Sequence, residues 1–227
     1  MDANLLATLP LWLAAFLLSL TCHEAAHALA GRIGGDSTAA AQVTLDPIPH
    51  IKREPFGTLV VPILSFFFQG GGWMIGWASA PYDPQWAARH PKRAAAMAAA
   101  GPAANFALML LAAVAIRVGL ASGYFELPGG SVTLDTLVVA PEGAAAGLAL
   151  FSSVLFSVNL ILGCFNLIPL PPLDGYAMVP LVLSERGRQK WFDLFSGGGA
   201  ILGLIVAFVV FGRIMPPVFR LAIGLLY

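Results

Sequence analysis

Long apolar stretches separated by short polar segments dominate the chain. The first runs from Leu5 to about Gly31 and contains no charged residue up to Cys22. Three similar stretches follow, at about Ala94–Leu120, Ala144–Ile168 and Leu194–Phe211. A helix needs about 20 mainly apolar residues to cross a bilayer. The pattern therefore predicts an all-α polytopic membrane protein with about four transmembrane helices.

A fifth apolar segment, Thr58–Ala78, is interrupted by Pro62 and by three consecutive glycines at 70–72. Basic residues flank it on both sides, which places both of its ends on one side of the membrane. At about 1.5 Å per residue it is too short to cross a core of about 30 Å twice. We expect a re-entrant or interfacial hairpin bent at the glycines, with an ordinary additional span as the alternative.

Polar segments connect these stretches. Asp36–Pro55 contains prolines and an alternating tetrapeptide, which predicts a short β-strand region after the first helix. The four residues of the predicted strand are Gln42, Val43, Thr44 and Leu45. Val182–Trp191 is typical of a charged turn, and Arg213–Tyr227 of a short apolar tail behind Pro216-Pro217.

Composition supports the membrane assignment. The 227 residues are 58% hydrophobic and 11% charged, whereas soluble domains carry about 25% charged residues. We expect one membrane-embedded domain over 1–227, with a core at about 5–180 and a C-terminal helical extension at 181–227. The formal net charge of +0 gives no basic surface for nucleic acid. Cys22 and Cys164 lie in apolar stretches, so neither a disulfide framework nor a cysteine zinc site is indicated.

Basic residues orient the spans, because short cytoplasmic loops are enriched in Lys and Arg. Clusters of them follow the first span, precede the second and follow the third, while the 119–143 loop has three acidic residues and no basic one. This predicts an outside N-terminus. The basic residues are Arg32, Lys52, Arg53, Arg89, Lys92, Arg93, Arg186, Arg188 and Lys190.

Ionisable residues inside the first span suggest a functional site. The segment His23-Glu24-Ala25-Ala26-His27 places two imidazoles at i and i+4, on one helix face about 5–6 Å apart. This is the zinc metalloprotease pattern, in which the glutamate reaches a metal-bound water. Such side chains are costly in a bilayer and mark functional sites by default. Buried histidines with hydrogen-bonded neighbours are the alternative.

A catalytic zinc usually has three protein ligands. Asp174, in Pro169–Gly175, is the best third candidate, because the third span returns to the side of His27 and the prolines end the helix there. An N-cap of the following helix explains this residue equally simply. Weaker candidates for an inward-facing ligand are Asp46, His50, Asp83 and His90.

Three asparagines lie within the second and third spans. Asn105 follows Gly101-Pro102, where we expect a local break or kink of the helix, and Asn159 and Asn166 share one face of the next span. Each carboxamide either serves the site or links neighbouring helices.

The three motifs HEAAH, GPAAN (101–105) and FNLIPLPPLDG (165–175), in this order, resemble the site-2 protease family of intramembrane zinc metalloproteases. The resemblance covers about residues 5–180 and is closest to the compact branch without PDZ or CBS domains. It implies a zinc ion held by His23, His27 and Asp174, with Glu24 as general base. Asn105 would bind the substrate backbone or the developing oxyanion.

The resemblance also implies an integral protein of a prokaryotic cell (inner) membrane, with its active site toward the cytoplasmic side. Its partners would be the lipid bilayer and a transmembrane or membrane-associated protein substrate. An exposed strand edge can hold an extended peptide, and we expect Gln42–Leu45 to provide that edge. The alternatives are a metal transporter or a catalytically inactive membrane scaffold that uses the same ligands.

Overall fold

The computed structural model describes residues 3–195 and 199–227, and these form an all-helical fold. Within the described part, two single turns of π- and 3₁₀-helix, Phe56–Val60 and Val179–Leu181, supplement ten α-helices. The α-helices are α1 (Ala3–Ile33), α2 (Ser37–Ala40), α3 (Ile48–Arg53), α4 (Val61–Phe68), α5 (Pro84–Arg89), α6 (Pro91–Ala121), α7 (Gly143–Asn166), α8 (Asp174–Met178), α9 (Glu185–Leu194) and α10 (Gly199–Ile223).

Four of these helices, α1, α6, α7 and α10, are long and apolar enough to cross a membrane. This confirms the predicted number of transmembrane helices, with bounds within a few residues for the first three. The predicted last span begins too early, at Leu194, and includes residues 196–198, which lie outside the described residues.

The core of the fold is the three-helix group of α1, α6 and α7, in which each helix packs against the other two. Trp12, Phe16 and Phe66 are buried where α4 covers the first half of α1, and Ile116 and Phe156 are buried between α6 and α7. Helix α10 packs mainly against α7 and leaves most of its surface outside. The candidate site residues all lie within or beside the three-helix group.

The segment after α3 folds back on itself. It continues through α4, turns at Gly70 and Gly71, whose φ angles of +65° and +86° favour glycine, and returns as a segment without regular secondary structure. Trp77 N–H donates to the Gly57 carbonyl at 3.0 Å, and Ile75 N–H donates to Ser65 Oγ at 2.9 Å. The two arms are therefore paired as the hairpin that the glycines predicted.

The predicted strand at Gln42–Leu45 is wrong, because no β-strand occurs among the described residues. Local side-chain bonds favour turns here instead. Asp36 caps α2 by accepting from Thr38 N–H and Ala39 N–H, and Thr44 Oγ1 accepts from Asp46 N–H at 3.0 Å. Such bonds give the backbone an alternative to pairing with a strand.

Two C-terminal predictions also need correction. The expected charged turn at Val182–Trp191 contains α9, whose N-cap Ser184 accepts from Gly187 N–H at 3.3 Å. The expected tail behind Pro216-Pro217 is helical as far as Ile223. Proline is tolerated in transmembrane helices when neighbouring groups satisfy the freed carbonyls. Likewise α6 continues through Pro102, where we expected a break or kink.

Candidate metal centre

Two imidazoles meet on one face of α1. His23 and His27 are one helical turn apart, and their Nε2 atoms are 2.9 Å from each other. Both residues are buried, with 5% and 8% of their surfaces exposed. Helix α1 alone can therefore provide two of the four ligands of a tetrahedral metal site.

Asp174 completes the group from a distant part of the chain. It is the first residue of α8, and its Oδ2 and Oδ1 lie 3.0 Å from His23 Nε2 and 3.3 Å from His27 Nε2. Leu173 occupies the N-cap position of α8, so Asp174 is not the N-cap residue of this helix.

These three side chains fit a zinc ion. Their ligand atoms all lie within 4.8 Å of one another. Atoms bound tetrahedrally to zinc at about 2.0–2.2 Å lie about 3.3–3.5 Å apart, so only small adjustments are needed. In addition, Asp174 Oδ2 is buried and accepts no hydrogen bond from the part of the chain that the structure describes, as expected for an oxygen that binds a cation. His23, His27 and Asp174 would therefore hold the zinc, with a fourth position free.

Gly101 explains how α6 approaches this group so closely. A Cβ atom at this position would lie 2.4 Å from His27 Nε2 and 2.5 Å from His23 Nε2. Any side chain would therefore enter the space that the ligand atoms need. The glycine of the GPAAN motif is required by contact with the imidazoles and not by helix flexibility.

The outer nitrogens of both imidazoles are bound to carbonyl oxygens. His27 Nδ1 lies 2.7 Å from the Met97 backbone oxygen, and His23 Nδ1 lies 2.6 Å from Asn105 Oδ1. Since a carbonyl oxygen only accepts, each Nδ1 carries a proton, and a neutral imidazole then has the lone pair of Nε2 available for a metal. Such contacts fix the tautomer and the ring orientation of histidine ligands.

Asn105 is held by a second set of bonds. Its Nδ2 donates to Asn159 Oδ1 at 2.9 Å and to the Ser19 carbonyl at 3.3 Å. Asn159 in turn donates to Ser19 Oγ at 2.8 Å. All three residues are fully buried. Ser19 belongs to none of the three motifs, although a serine four residues before His23 lies on the same helix face.

This arrangement bears on the predicted role of Asn105. Its oxygen and its amide are used by His23, Ser19 and Asn159, and it is not among the residues that line the cavity beside the site. The geometry favours an orienting role for Asn105 over the predicted contact with substrate. Asn166, on the same helix as Asn159, does line the cavity.

That cavity has a volume of about 1480 Å³ and opens directly onto the metal centre. Glu24, only 4% exposed, lies on its wall with both imidazoles and Asp174. The rest of the wall is mostly apolar and is contributed by α1, by α5 to α10 and by the non-helical segment 73–80. The cavity is large enough for a segment of polypeptide beside the metal.

The weaker ligand candidates do not belong to the cluster of His23, His27 and Asp174. Asp46 and Asp83 accept backbone N–H bonds at the starts of α3 and α5, and His90 is exposed before α6. His50 is buried without a hydrogen-bond partner for either ring nitrogen, and burial lowers its pKa. In the described part of the chain, none of them joins a metal-binding cluster.

Comparison with known proteins gives two matches. The sequence model of peptidase family M50 matches residues 11–210. A protein of Bacillus subtilis (strain 168), "Putative zinc metalloprotease YwhC", is 30% identical over 209 residues, which cover 91% of this chain and 82% of that protein. No solved structure matches the chain. Both findings agree with a zinc-dependent peptidase.

We expect Asn105→Ala to weaken zinc binding by about 10- to 100-fold, because His23 loses the acceptor that orients it. Zinc affinity of the purified protein is measured by competition with a chelator. Asn166→Ala removes a carboxamide that does not touch an imidazole and should leave the affinity unchanged. An unaltered affinity in Asn105→Ala would return Asn105 to the predicted role in substrate binding.

Proposed function

Because the chain belongs to peptidase family M50, we propose that it is an intramembrane zinc metalloprotease that hydrolyses transmembrane or membrane-associated proteins. One observation carries the proposal. Three side chains that could hold a zinc ion and a buried glutamate converge on a cavity whose wall includes four helices long enough to span a membrane, the first of which carries the two histidines. Residues 1–227 would act as a single membrane-embedded domain.

Proton transfer falls to Glu24 in this proposal. Zinc, when bound, lowers the pKa of a bound water and polarises the substrate carbonyl. Glu24, buried on the cavity wall next to His23, is placed to take the proton of the attacking water and to return it to the leaving amine. Asn166, half-buried on the same wall, donates its Nδ2 to the Leu162 carbonyl at 3.1 Å, and its Oδ1 could accept a hydrogen bond from the substrate.

The site lies nearer to one end of the helix bundle. Nine residues separate His23 from Arg32, which is about 13 Å of helix. The basic residues concentrate at this end, after α1, before α6 and after α7. By the positive-inside rule this end is cytoplasmic, and we propose that water reaches the metal centre from the cytoplasm.

Substrate has to be held in extended form, because helical amides are hidden in their own hydrogen bonds. The non-helical segment 73–79 could hold the substrate in this form. The backbone of Ile75 and Trp77 bonds to α4 and the turn before it, and successive residues of an extended chain point in opposite directions. The backbone of Gly76 and Ala78 is therefore directed away from α4, and both residues line the cavity. A substrate strand could pair with this edge.

Glu24→Gln should bind one zinc per chain and cleave at least about 100-fold more slowly, because the amide cannot take up the water proton. Purified protein in detergent is assayed for zinc and for cleavage of a transmembrane peptide. A metal transporter would move zinc equally well in this variant, and an inactive scaffold would show no cleavage even in the wild type. Cleavage at the wild-type rate in Glu24→Gln would contradict the mechanism.

Ala78→Pro should raise KM by about tenfold without changing zinc content, because it removes one backbone N–H from the proposed edge. Ala78→Val keeps that N–H and serves as the matched control. Val43→Pro changes the segment Gln42–Leu45, which was predicted as the strand edge but forms no strand, and it should leave turnover unchanged. Equal KM values for Ala78→Pro and Ala78→Val would exclude pairing at this residue.

A further inference from the structure

One face of α9 forms part of the cavity wall. Glu185, Arg188, Gln189 and Phe192 line the cavity, and their spacing of i, i+3, i+4 and i+7 places them on a single side of the helix. Among the described residues that line the cavity, Arg188 is the only lysine or arginine. The metal centre and this guanidinium therefore share one cavity.

The neighbouring face of α9 is fixed to the helix that carries Asp174. Trp191 Nε1 donates to the Tyr176 carbonyl at 3.1 Å, and the Tyr176 ring packs against Trp191, Phe192 and Phe195 with centroids 5.3–5.8 Å away. Tyr176 follows Asp174 by two residues, and Trp191 follows Arg188 by three. The position of Arg188 relative to the zinc ligands is thus set by this aromatic contact.

Arg188 has no strong partner among the described residues. Its side chain is only 17% exposed, yet its nearest carboxylate, Glu185, is 93% exposed and 3.6 Å away. This is longer than a hydrogen bond, and a solvated ion pair contributes little. The remaining contact, from Nη1 to the Leu183 carbonyl, is long at 3.4 Å. A buried guanidinium normally has a well-aligned carboxylate or carbonyl partner.

The charges around the cavity leave this cation uncompensated. The two positive charges of a zinc ion would balance the carboxylates of Asp174 and Glu24, and water screens the charge of Glu185. Much of the remaining wall is apolar and includes Ile161, Phe165 and Phe208. The cavity therefore combines an apolar surface, a metal centre and one cationic group.

We infer that Arg188 binds a carboxylate of the substrate, located next to the apolar segment that enters the cavity. The planar guanidinium can form two parallel bonds to a carboxylate, which gives geometric selectivity. This inference rests on the proposed function, since it names a feature of the substrate of that site. The carboxylate belongs either to an acidic side chain or to a free C-terminus.

The test uses zinc-loaded Glu24→Gln protein in detergent, so that binding is measured without cleavage. The probes are apolar Leu/Ala transmembrane peptides with one Glu at successive positions beyond the apolar stretch, and their Gln twins. Each is made with a C-terminal acid and with a C-terminal amide. We expect the best carboxylate peptide to bind about 10- to 100-fold more tightly than its uncharged twin. A preference within the Glu/Gln pairs identifies an acidic side chain as the source of the carboxylate, and a preference within the acid/amide pairs identifies the C-terminus.

A second substitution in the same protein assigns the preference to Arg188. Arg188→Gln should give equal dissociation constants for the carboxylate peptide and its uncharged twin. Arg188→Glu should instead bind more tightly a peptide that has Lys in place of the Glu. The matched control is Arg186→Gln, because Arg186 is exposed, two residues away and absent from the cavity wall. It should keep the preference, and zinc content should be equal in all variants.

Two results would overturn the inference. One is equal affinity for carboxylate and uncharged peptides in protein that retains Arg188. The other is a preference that survives Arg188→Gln. Failure of the proposed function gives a different result, namely selective binding by Glu24→Gln protein together with no cleavage of the same peptides by the wild type.

Discussion

The hydrogen bonds that fix His23 are the constraint on which the site depends. A polar group inside an apolar helix bundle is costly unless it is bonded, and here four polar side chains form one chain of hydrogen bonds. Ser19 donates to Ala15, Asn159 donates to Ser19, Asn105 donates to Asn159, and His23 donates to Asn105. The chain links α1, α6 and α7 and ends with the Nε2 lone pair turned to the metal position.

The ligands were predictable because their signals are local or belong to a long motif. Two histidines at i and i+4 must share a helix face, and an ionisable group in an apolar span needs a reason. The prediction of Asp174 as third ligand depended on the resemblance of residues 165–175 to the family motif. The spacing of the residues alone did not distinguish a metal ligand from a helix N-cap. The number of spans followed from the length of the apolar stretches.

The remaining features depend on tertiary contacts that the sequence does not show. The role of Gly101 follows from the distance between α6 and two side chains of α1. The alternation at Gln42–Leu45 resembled a strand, but no partner strand exists for it among the described residues. Pro216-Pro217 suggested a helix end in a place where α10 continues. Asn105 and Asn166 are chemically equal, and only the fold separates the buried carboxamide from the one on the cavity wall.

The most direct measurement is the zinc affinity of Asp174→Ala, determined by chelator competition in the purified protein. If His23, His27 and Asp174 hold the ion together, the affinity falls by more than about 100-fold, beyond the loss typical of an outer contact. Asp83→Ala, which removes a carboxylate that caps α5, is the matched control and keeps the wild-type affinity. Wild-type zinc affinity in Asp174→Ala would contradict the account.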